Sequence, residues 1–411
     1  MREKKKAPRL GGRGGVNGLL AALLCVIIGL LIGFVALVVL SWVYYAKSGS
    51  PYGFADVVKT AYSGGFKQIL MGGFFLRPLG VGQFIASAAP LLMCGLSVGF
   101  AFKTGLFNIG AAGQYTLGAF GGLLFAIVFH WPWWACLLAA TVFGAIWGAI
   151  PGLFKAYLNI NEVISAIMFN WIGLYAVNTI MYGNGKSVMY DANRTKTWSL
   201  WTESYQKALI PGGGRDGFIG GLFNNRSTTI AIFLAILMAI LIYIIINKTT
   251  FGYELKACGH NKSAAKYAGI NEKRNIVLSM TIAGALAGFG GGLYYLSGVA
   301  EWSPMDSNAL PSMGFDGIAV ALLASSNPIG TIFSALLISH ISTGGGFMNA
   351  NVFPPEIASV ISGIIIYLCA FSLLFRNGIG RVFHRGTAAQ LKTEDEPSVP
   401  APPDVGKEGS E

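Results

Sequence analysis

The sequence predicts an all-α, polytopic integral membrane protein with about ten transmembrane helices, on three observations. Apolar residues make up 54% of the 411 and charged residues only 11%, where a soluble domain carries about 25% charged. Mean hydropathy is +0.58. Eight long stretches carry no charge at all: residues 14–46, 78–102, 104–154, 163–185, 227–247, 275–300, 317–355 and 357–375. A spanning helix needs about 20 apolar residues and a barrel strand about 10 in strict alternation, so these stretches read as helices. A soluble globule and a disordered chain are excluded. So are a collagen-like repeat and a disulfide scaffold, since the 56 Gly follow no triplet period and the five Cys are sparse.

The first stretch follows a basic start, residues 1–17. Its apolar run is longer than the roughly 7 to 15 residues of a secretory signal core, and no small-x-small cleavage site follows it, so it reads as a retained anchor helix. Residues 104–154 hold two spans, divided at His130-Trp131-Pro132-Trp133-Trp134, where interfacial aromatics flank a helix breaker. Residues 317–355 barely hold two more.

The net charge of +11 invites a nucleic-acid reading, but its distribution points elsewhere. With the N-terminus inside, interior segments hold 19 of the 29 Lys and Arg, from Arg2 to Arg13, at Lys103 and Lys155, from Lys248 to Arg274, and from Arg376 to Lys407. The others lie in two long outside loops, which count little toward orientation. Positive-inside retention explains the charge, and both termini are expected to be cytoplasmic. The expected organisation is a basic cytoplasmic N-terminus at 1–17, a transmembrane domain at 18–380 and a disordered cytoplasmic tail at 381–411, rich in Pro and acid. In the first outside loop, Phe54, Val57, Val58, Ala61 and Tyr62 at helical spacing predict a short surface helix. The second, residues 183–226, is rich in Gly, Asn and Trp and large enough to touch another protein. Four Cys fall in predicted spans and Cys258 in an inside loop, so no disulfide is expected.

Within the membrane, Gly144, Gly148 and Gly152 recur at every fourth position, as do Gly284, Gly288 and Gly292. Such ladders let helix backbones approach closely. Catalytic chemistry is missing: the nearest approach to a nucleotide-binding Gly-x4-Gly-Lys-Ser/Thr loop, Gly183-Asn184-Gly185-Lys186-Ser187, has Ile180 in place of the first Gly. His130, His260, His340 and His384 are scattered with no metal-ligand spacing. No catalytic residue, metal or cofactor is expected, and any nucleotide hydrolysis belongs to another subunit.

Polar groups at membrane depth carry more. An acid at a helix centre costs roughly 2.5 to 3.5 kcal/mol, so Asp316 is expected to face a cavity or a partner, on a helix that starts before it or breaks near it. Asn108, Gln114 and Asn170 either tie helices together or line a path for a polar solute. A water-exposed interfacial Asp316 and an intraprotein partner for it both remain open.

The inside loop Phe251-Gly252-Tyr253-Glu254-Leu255-Lys256-Ala257-Cys258-Gly259-His260-Asn261-Lys262-Ser263-Ala264-Ala265-Lys266-Tyr267-Ala268-Gly269-Ile270-Asn271 carries a short helix with Ala264, Ala265 and Ala268 on one side and a Gly stop. It resembles the coupling helix of permease subunits of ATP-binding-cassette (ABC) importers, in the branched-chain amino acid, simple sugar and nucleoside permease superfamily. Three further blocks are similar to that family: Leu106-Phe107-Asn108-Ile109-Gly110-Ala111-Ala112-Gly113-Gln114, then Asn161-Glu162-Val163-Ile164 with Asn170, then residues 314–323 with Asn327-Pro328-Ile329-Gly330. The likeness covers about residues 90–380. The first and third blocks resemble permeases that import nucleosides with a lipoprotein receptor of the basic-membrane-protein type.

The resemblance implies a multi-pass plasma-membrane subunit without an active site, translocating a nucleoside or related simple sugar. It implies a cytoplasmic ATP-binding subunit docked on the 251–275 loop through Gly259, Asn261, Ala264, Ala265, Ala268 and Gly269, a second permease subunit in a heterodimer, and an extracellular lipoprotein receptor. Passage of such a polar, neutral solute needs a few amides or carboxylates among apolar walls, and Asn108, Gln114, Asn170 and Asp316 are the side chains expected along that path. An ion-coupled secondary transporter using Asp316 is the alternative, and a membrane enzyme is disfavoured for want of a nucleophile and base.

Overall fold

The computed structural model describes residues 13–48, 51–304, 309–354 and 356–370. Most of the expected N-terminal segment and the whole tail at 381–411 lie outside the described residues. Among the described residues the structure is helical apart from one hairpin of two-residue strands. In order, it forms α1 (Arg13–Ser48), α2 (Phe54–Ala61), α3 (Lys67–Met71), α4 (Leu79–Lys103), α5 (Ala111–Ile127), α6 (Trp133–Leu158) and α7 (Glu162–Tyr182). The hairpin β1 (Tyr190–Asp191) and β2 (Lys196–Thr197) and the short α8 (Phe218–Leu222) belong to the loop after α7. Then come α9 (Ala231–Lys248), α10 (Thr250–His260), α11 (Lys262–Tyr267), α12 (Glu272–Leu296), α13 (Ser312–Leu323), α14 (Pro328–Gly346) and α15 (Ile357–Ala370).

Among the described residues, seven helices are long and apolar enough to cross a membrane: α1, α4, α6, α7, α9, α12 and α14. Two more apolar helices are shorter, α5 with 17 residues and α13 with 12. Both are short because they begin inside the bundle. The α5 start is held by Asn170, eight residues along α7, which at 1.5 Å per residue lies roughly 12 Å from the start of that helix. The α13 start meets α5, Gly314 packing on the Ala112 backbone, while Gly317 packs on Cys94, deep in α4.

Helices α4 and α12 form the centre. Nearly every α4 residue from Ala86 to Ala101 is buried, and so is most of α12. The predicted Gly ladders face each other: Gly144 and Gly148 of α6 sit on the backbones of Gly284 and Gly288 of α12. Here two backbones touch with no side chain between them, a contact that only Gly permits. Outside this centre α1 is peripheral, with Leu23, Ile27, Leu31, Val35 and Val39 exposed at every fourth position. On its other side, Gly29 and Gly33 accommodate Ile365 and Ile361 of α15. Further exposed apolar side chains on α6, α7 and α9, such as Leu138, Ile146, Ile164, Tyr175, Phe233 and Leu237, make a belt suited to lipid and far too large for water.

The first loop holds the expected surface helix, α2, with Val57 and Ala61 buried and Phe54 exposed. The second loop is an ordered cap over the ends of α5, α7 and α12. Thr197 N donates to the Trp302 carbonyl at 2.8 Å, Ile210 N to the Leu296 carbonyl at 2.9 Å, and Trp302 Nε1 to Asn178 Oδ1 at 2.8 Å. His130 stacks on Tyr205 with ring centroids 5.3 Å apart. On the opposite side of the bundle, Asn and Thr caps set tight turns. Asn161, Thr249, Asn261, Asn271 and Asn327 each accept a backbone N–H at the start of the helix that follows. Lys155 and Glu162, 2.9 Å apart, close the α6–α7 turn.

The ladder contact yields a prediction. Gly284→Leu forces a side chain onto the Gly144 and Gly148 backbones, which must move, at a cost of about 1–3 kcal/mol or more. The melting temperature of the purified protein is expected to fall by several degrees, while Gly363→Ala, which meets open space, leaves it unchanged.

Candidate functional site

Two neighbouring structures carry the chemistry, a non-helical segment inside the bundle and a groove on the inside loop. The chain leaves α4 at Lys103 and re-forms helix only at Ala111. Between them, Thr104 N, Gly105 N and Leu106 N turn back onto the Ala101 and Phe102 carbonyls of α4, while the buried backbone nearer α5 needs the protein to supply its hydrogen bonds. The Asn170 amide does so here. Asn170 Oδ1 accepts from Gly113 N at 2.8 Å and Asn170 Nδ2 donates to the Ile109 carbonyl at 3.1 Å, clamping both sides of the α5 start. Asn108 and Gln114 form a reciprocal amide pair, with Asn108 Nδ2 donating to Gln114 Oε1 at 2.7 Å and Gln114 Nε2 donating to Asn108 Oδ1 at 3.0 Å. Asn108 Nδ2 also donates to Ser97 Oγ at 2.9 Å, and Ser97 in turn donates to the Ala283 carbonyl of α12 at 2.6 Å.

The sequence-predicted residues Asn108, Gln114 and Asn170 are therefore brought together, with 0%, 1% and 1% of their surface exposed. Their hydrogen-bonding groups are engaged within the protein. Asp316 stands apart from this pairing. It is half-buried in the second turn of α13, four residues after Ser312, whose side chain hydrogen-bonds to it. The helix starts before the acid, as the sequence implied.

The loop at residues 251–275, expected on the inside, folds as two helices, α10 and α11, hinged at Asn261. Its backbone N donates to the Ala257 carbonyl at 3.0 Å and its Oδ1 accepts from Ala264 N at 3.0 Å, so one residue ends α10 and starts α11. A groove of about 530 Å³ opens between them, lined by Ala257, Asn261, Ala264, Ala265, Ala268 and Ile270 and rimmed by Tyr253, Lys256 and His260. Ala265 is buried at the groove, while Tyr253 and Tyr267 are 69% and 94% exposed beside it. Two predicted coupling residues do not line the groove. Gly269 takes φ +81 with open space around it and ends α11. Gly259 faces the bundle, its backbone against Thr104 and Gly105.

That last contact joins the two structures. Gly105 (φ +74) lies at the start of the non-helical segment, and a Cβ on it would come within 2.5 Å of the Gly259 Cα. Thr104 is hydrogen-bonded to Ser279 of α12 beside it. Sequence reading did not single out Ser97, Thr104, Gly105, Ser279, Tyr253 or His260. The available signal was position: Thr104 and Gly105 immediately precede the Asn108 block, and Gly259 falls within the inside-loop motif.

Comparison with known proteins comes next. Residues 80–370 match the family described as "Branched-chain amino acid transport system / permease component". The chain is 34% identical over 376 residues to the guanosine ABC transporter permease protein NupP of Bacillus subtilis, covering 90% of this chain and 98% of that protein. It is 35% identical over 312 residues to the nucleoside ABC transporter permease protein NupB of Lactococcus lactis, covering 73% and 82%. A sugar transporter is also similar, the glucose ABC transporter permease protein TsgB13 of Haloferax volcanii, 27% identical over 74% of this chain and 80% of its own length. No solved structure matches the chain.

The amide clamp predicts a specific weakness. Asn170→Leu leaves Gly113 N–H and the Ile109 carbonyl buried without partners, at about 1–3 kcal/mol for each such group. A lower melting temperature and loss of transport are expected in the purified variant, measured against the wild-type protein in the same detergent and the same vesicles.

Proposed function

This chain belongs to the branched-chain amino acid transport system permease family, and on that premise we propose that the solute it carries across the membrane is a nucleoside. As a permease component it is a multi-pass subunit of an ABC importer. It works with an ATPase subunit and a substrate-binding protein and has no hydrolytic role of its own. The substrate proposal rests on similarity over nearly the full length of NupP, whose name specifies guanosine, and on NupB, whose name specifies nucleosides. In the finer assembly proposed here, a second, non-identical permease completes the channel and the receptor outside is a lipoprotein.

The observation that carries the mechanism is the backbone contact of Gly259 with Thr104 and Gly105. In the proposal, the ATPase docks on the Ala264, Ala265 and Ala268 groove, with Asn261 fixing the hinge between α10 and α11. Gly259 passes displacement of the loop into the non-helical segment, and Gly269 stops α11 so that the loop can turn back to α12. Asn108, Gln114 and Asn170 belong to the path as its frame, fixing the backbone where α5 and α13 begin. Asp316, half-buried at the α13 start, faces the path and accepts hydrogen bonds from ribose hydroxyls. A neutral solute suits a frame of amides and one carboxylate, because strong charge would trap it.

Uptake of labelled guanosine into vesicles holding this chain, its ATPase and its partner permease tests the proposal. Uptake that requires ATP hydrolysis and stops with vanadate supports it, whereas uptake driven by an ion gradient without ATP favours the ion-coupled alternative. Ala265→Asp puts an unpaired charge into the docking groove and is expected to lower ATP-driven uptake at least about tenfold at unchanged membrane level, since burying a lone charge is costly. Wild-type uptake by that variant would remove the groove from the mechanism. Orientation is tested by labelling. A Cys at the exposed Ser204 is expected to react with a membrane-impermeant thiol reagent from outside, and one at the exposed Ser263 only after permeabilisation.

A further inference from the structure

A second cavity, of about 460 Å³, opens on the side of the bundle opposite the α10–α11 groove. Four parts of the chain meet there: the first turns of α4, the end of the loop before α9, Val299 after α12 and the last turn of α14. Its polar lining is Gln83, Ser87, Asn225, Ser227, Ser342 and Thr343, with the Phe347 ring at one edge. Among the described residues no charged side chain lines it.

Several hydroxyls on the long helices turn back on their own backbone, as Thr116 does to the Ala112 carbonyl, Thr141 to Leu137, Thr179 to Tyr175, Thr281 to Val277 and Thr331 to Asn327, and others bridge helices, as Ser97 does to Ala283 and Ser339 to Phe84. Around this cavity, the side chains of Gln83, Ser87, Ser342 and Thr343 make no hydrogen bond among the described residues. Asn225 and Ser227 are already fixed. Asn225 Oδ1 accepts from Ser227 N at 3.0 Å and Ser227 Oγ donates to the Gly298 carbonyl at 3.1 Å, which pins the loop over the cavity. The result is a fixed rim on one side and uncommitted donors and acceptors on the others. Phe347 itself is braced by Phe75, ring centroids 5.9 Å apart, so its position is set.

We infer that this cavity is a binding site for an uncharged, polyhydroxylated solute with a flat face, such as a ribonucleoside. Its volume lies in the range of about 300–1,000 Å³ usual for small-molecule sites. Hydroxyls and a carboxamide can each donate and accept, matching the mixed donors and acceptors of a ribose. The Phe347 ring offers a stacking surface for a base or the apolar face of a sugar. With no cation among the described lining residues, the site selects against a phosphorylated form, whose charge would be left unpaired. The identification of the solute as a nucleoside rests on the substrate proposed above; the site itself does not.

Thiol protection tests it. The assembled transporter carrying Ser342→Cys is labelled with a small, water-soluble thiol reagent, in the presence of guanosine, guanosine monophosphate or glucose; the unsubstituted transporter is assayed in parallel for uptake of each. Saturating guanosine, at about ten times its dissociation constant, is expected to slow labelling about tenfold, and guanosine monophosphate to leave it unchanged. Protection by glucose in a transporter that imports glucose keeps the site and overturns the nucleoside assignment. Labelling that no imported solute slows overturns the site, even where guanosine uptake itself is normal. Thr343→Val, which removes only the hydroxyl, is expected to raise the half-saturating concentration of the imported solute several-fold, and an unchanged value would likewise count against the site.

Discussion

Everything in this fold depends on one constraint: backbone that leaves the helix inside a membrane must find its hydrogen bonds within the protein. The chain between Lys103 and Ala111 meets that constraint with the last carbonyls of α4 and the Asn170 amide, while Asn108, Gln114 and Ser97 bond one another beside it. Once Asn170 fixes Gly113 and Ile109, the start of α5 is set within the bundle, and α13 begins against it through Gly314 and Ala112. Two helices that are too short to cross the membrane alone are the consequence. Half-length helices meeting in a bundle are how many transporters build a path, because their ends expose polar backbone where a solute passes.

The same segment reaches the inside loop through a contact that has no side chain in it. Gly105 against Gly259 brings two backbones together, and close-packed contacts of this kind transmit displacement instead of absorbing it. The α6–α12 ladder does the complementary job of holding the surrounding core rigid, so that movement of the loop has a fixed frame to act against. Ser97 and Thr104 tie the segment to α12 at Ala283 and Ser279, at two heights along that helix.

Much of this was legible in the sequence. Charge-free stretches gave helices, and each stretch between residues 78 and 347 holds one or two of them. The Gly144 and Gly284 ladders announced a close helix pair because a fourfold Gly spacing has few other uses in a span. The Asn108 block and the 251–271 motif marked where the buried amides cluster and where the surface groove opens. Partnership was hidden. Whether Asn108 pairs with Gln114 or points into water depends on the fold of a non-helical segment, which periodicity does not describe. Gly259 and Ala264 share one motif yet face opposite ways, because Asn261 breaks the loop into two helices between them. The cavity at Ser342 gathers residues from four distant parts of the chain and leaves no local pattern.

The central claim is that the docking groove and the amide-held segment move as one unit. Hydrogen exchange of the assembled transporter measures it directly, comparing peptides covering residues 104–114 with and without ATP bound to the ATPase. Coupled movement predicts that ATP binding changes exchange at Gly113, whose N–H is held by Asn170, together with exchange in α10 and α11. A change confined to α10 and α11, with residues 104–114 exchanging at the same rate in both states, would contradict it.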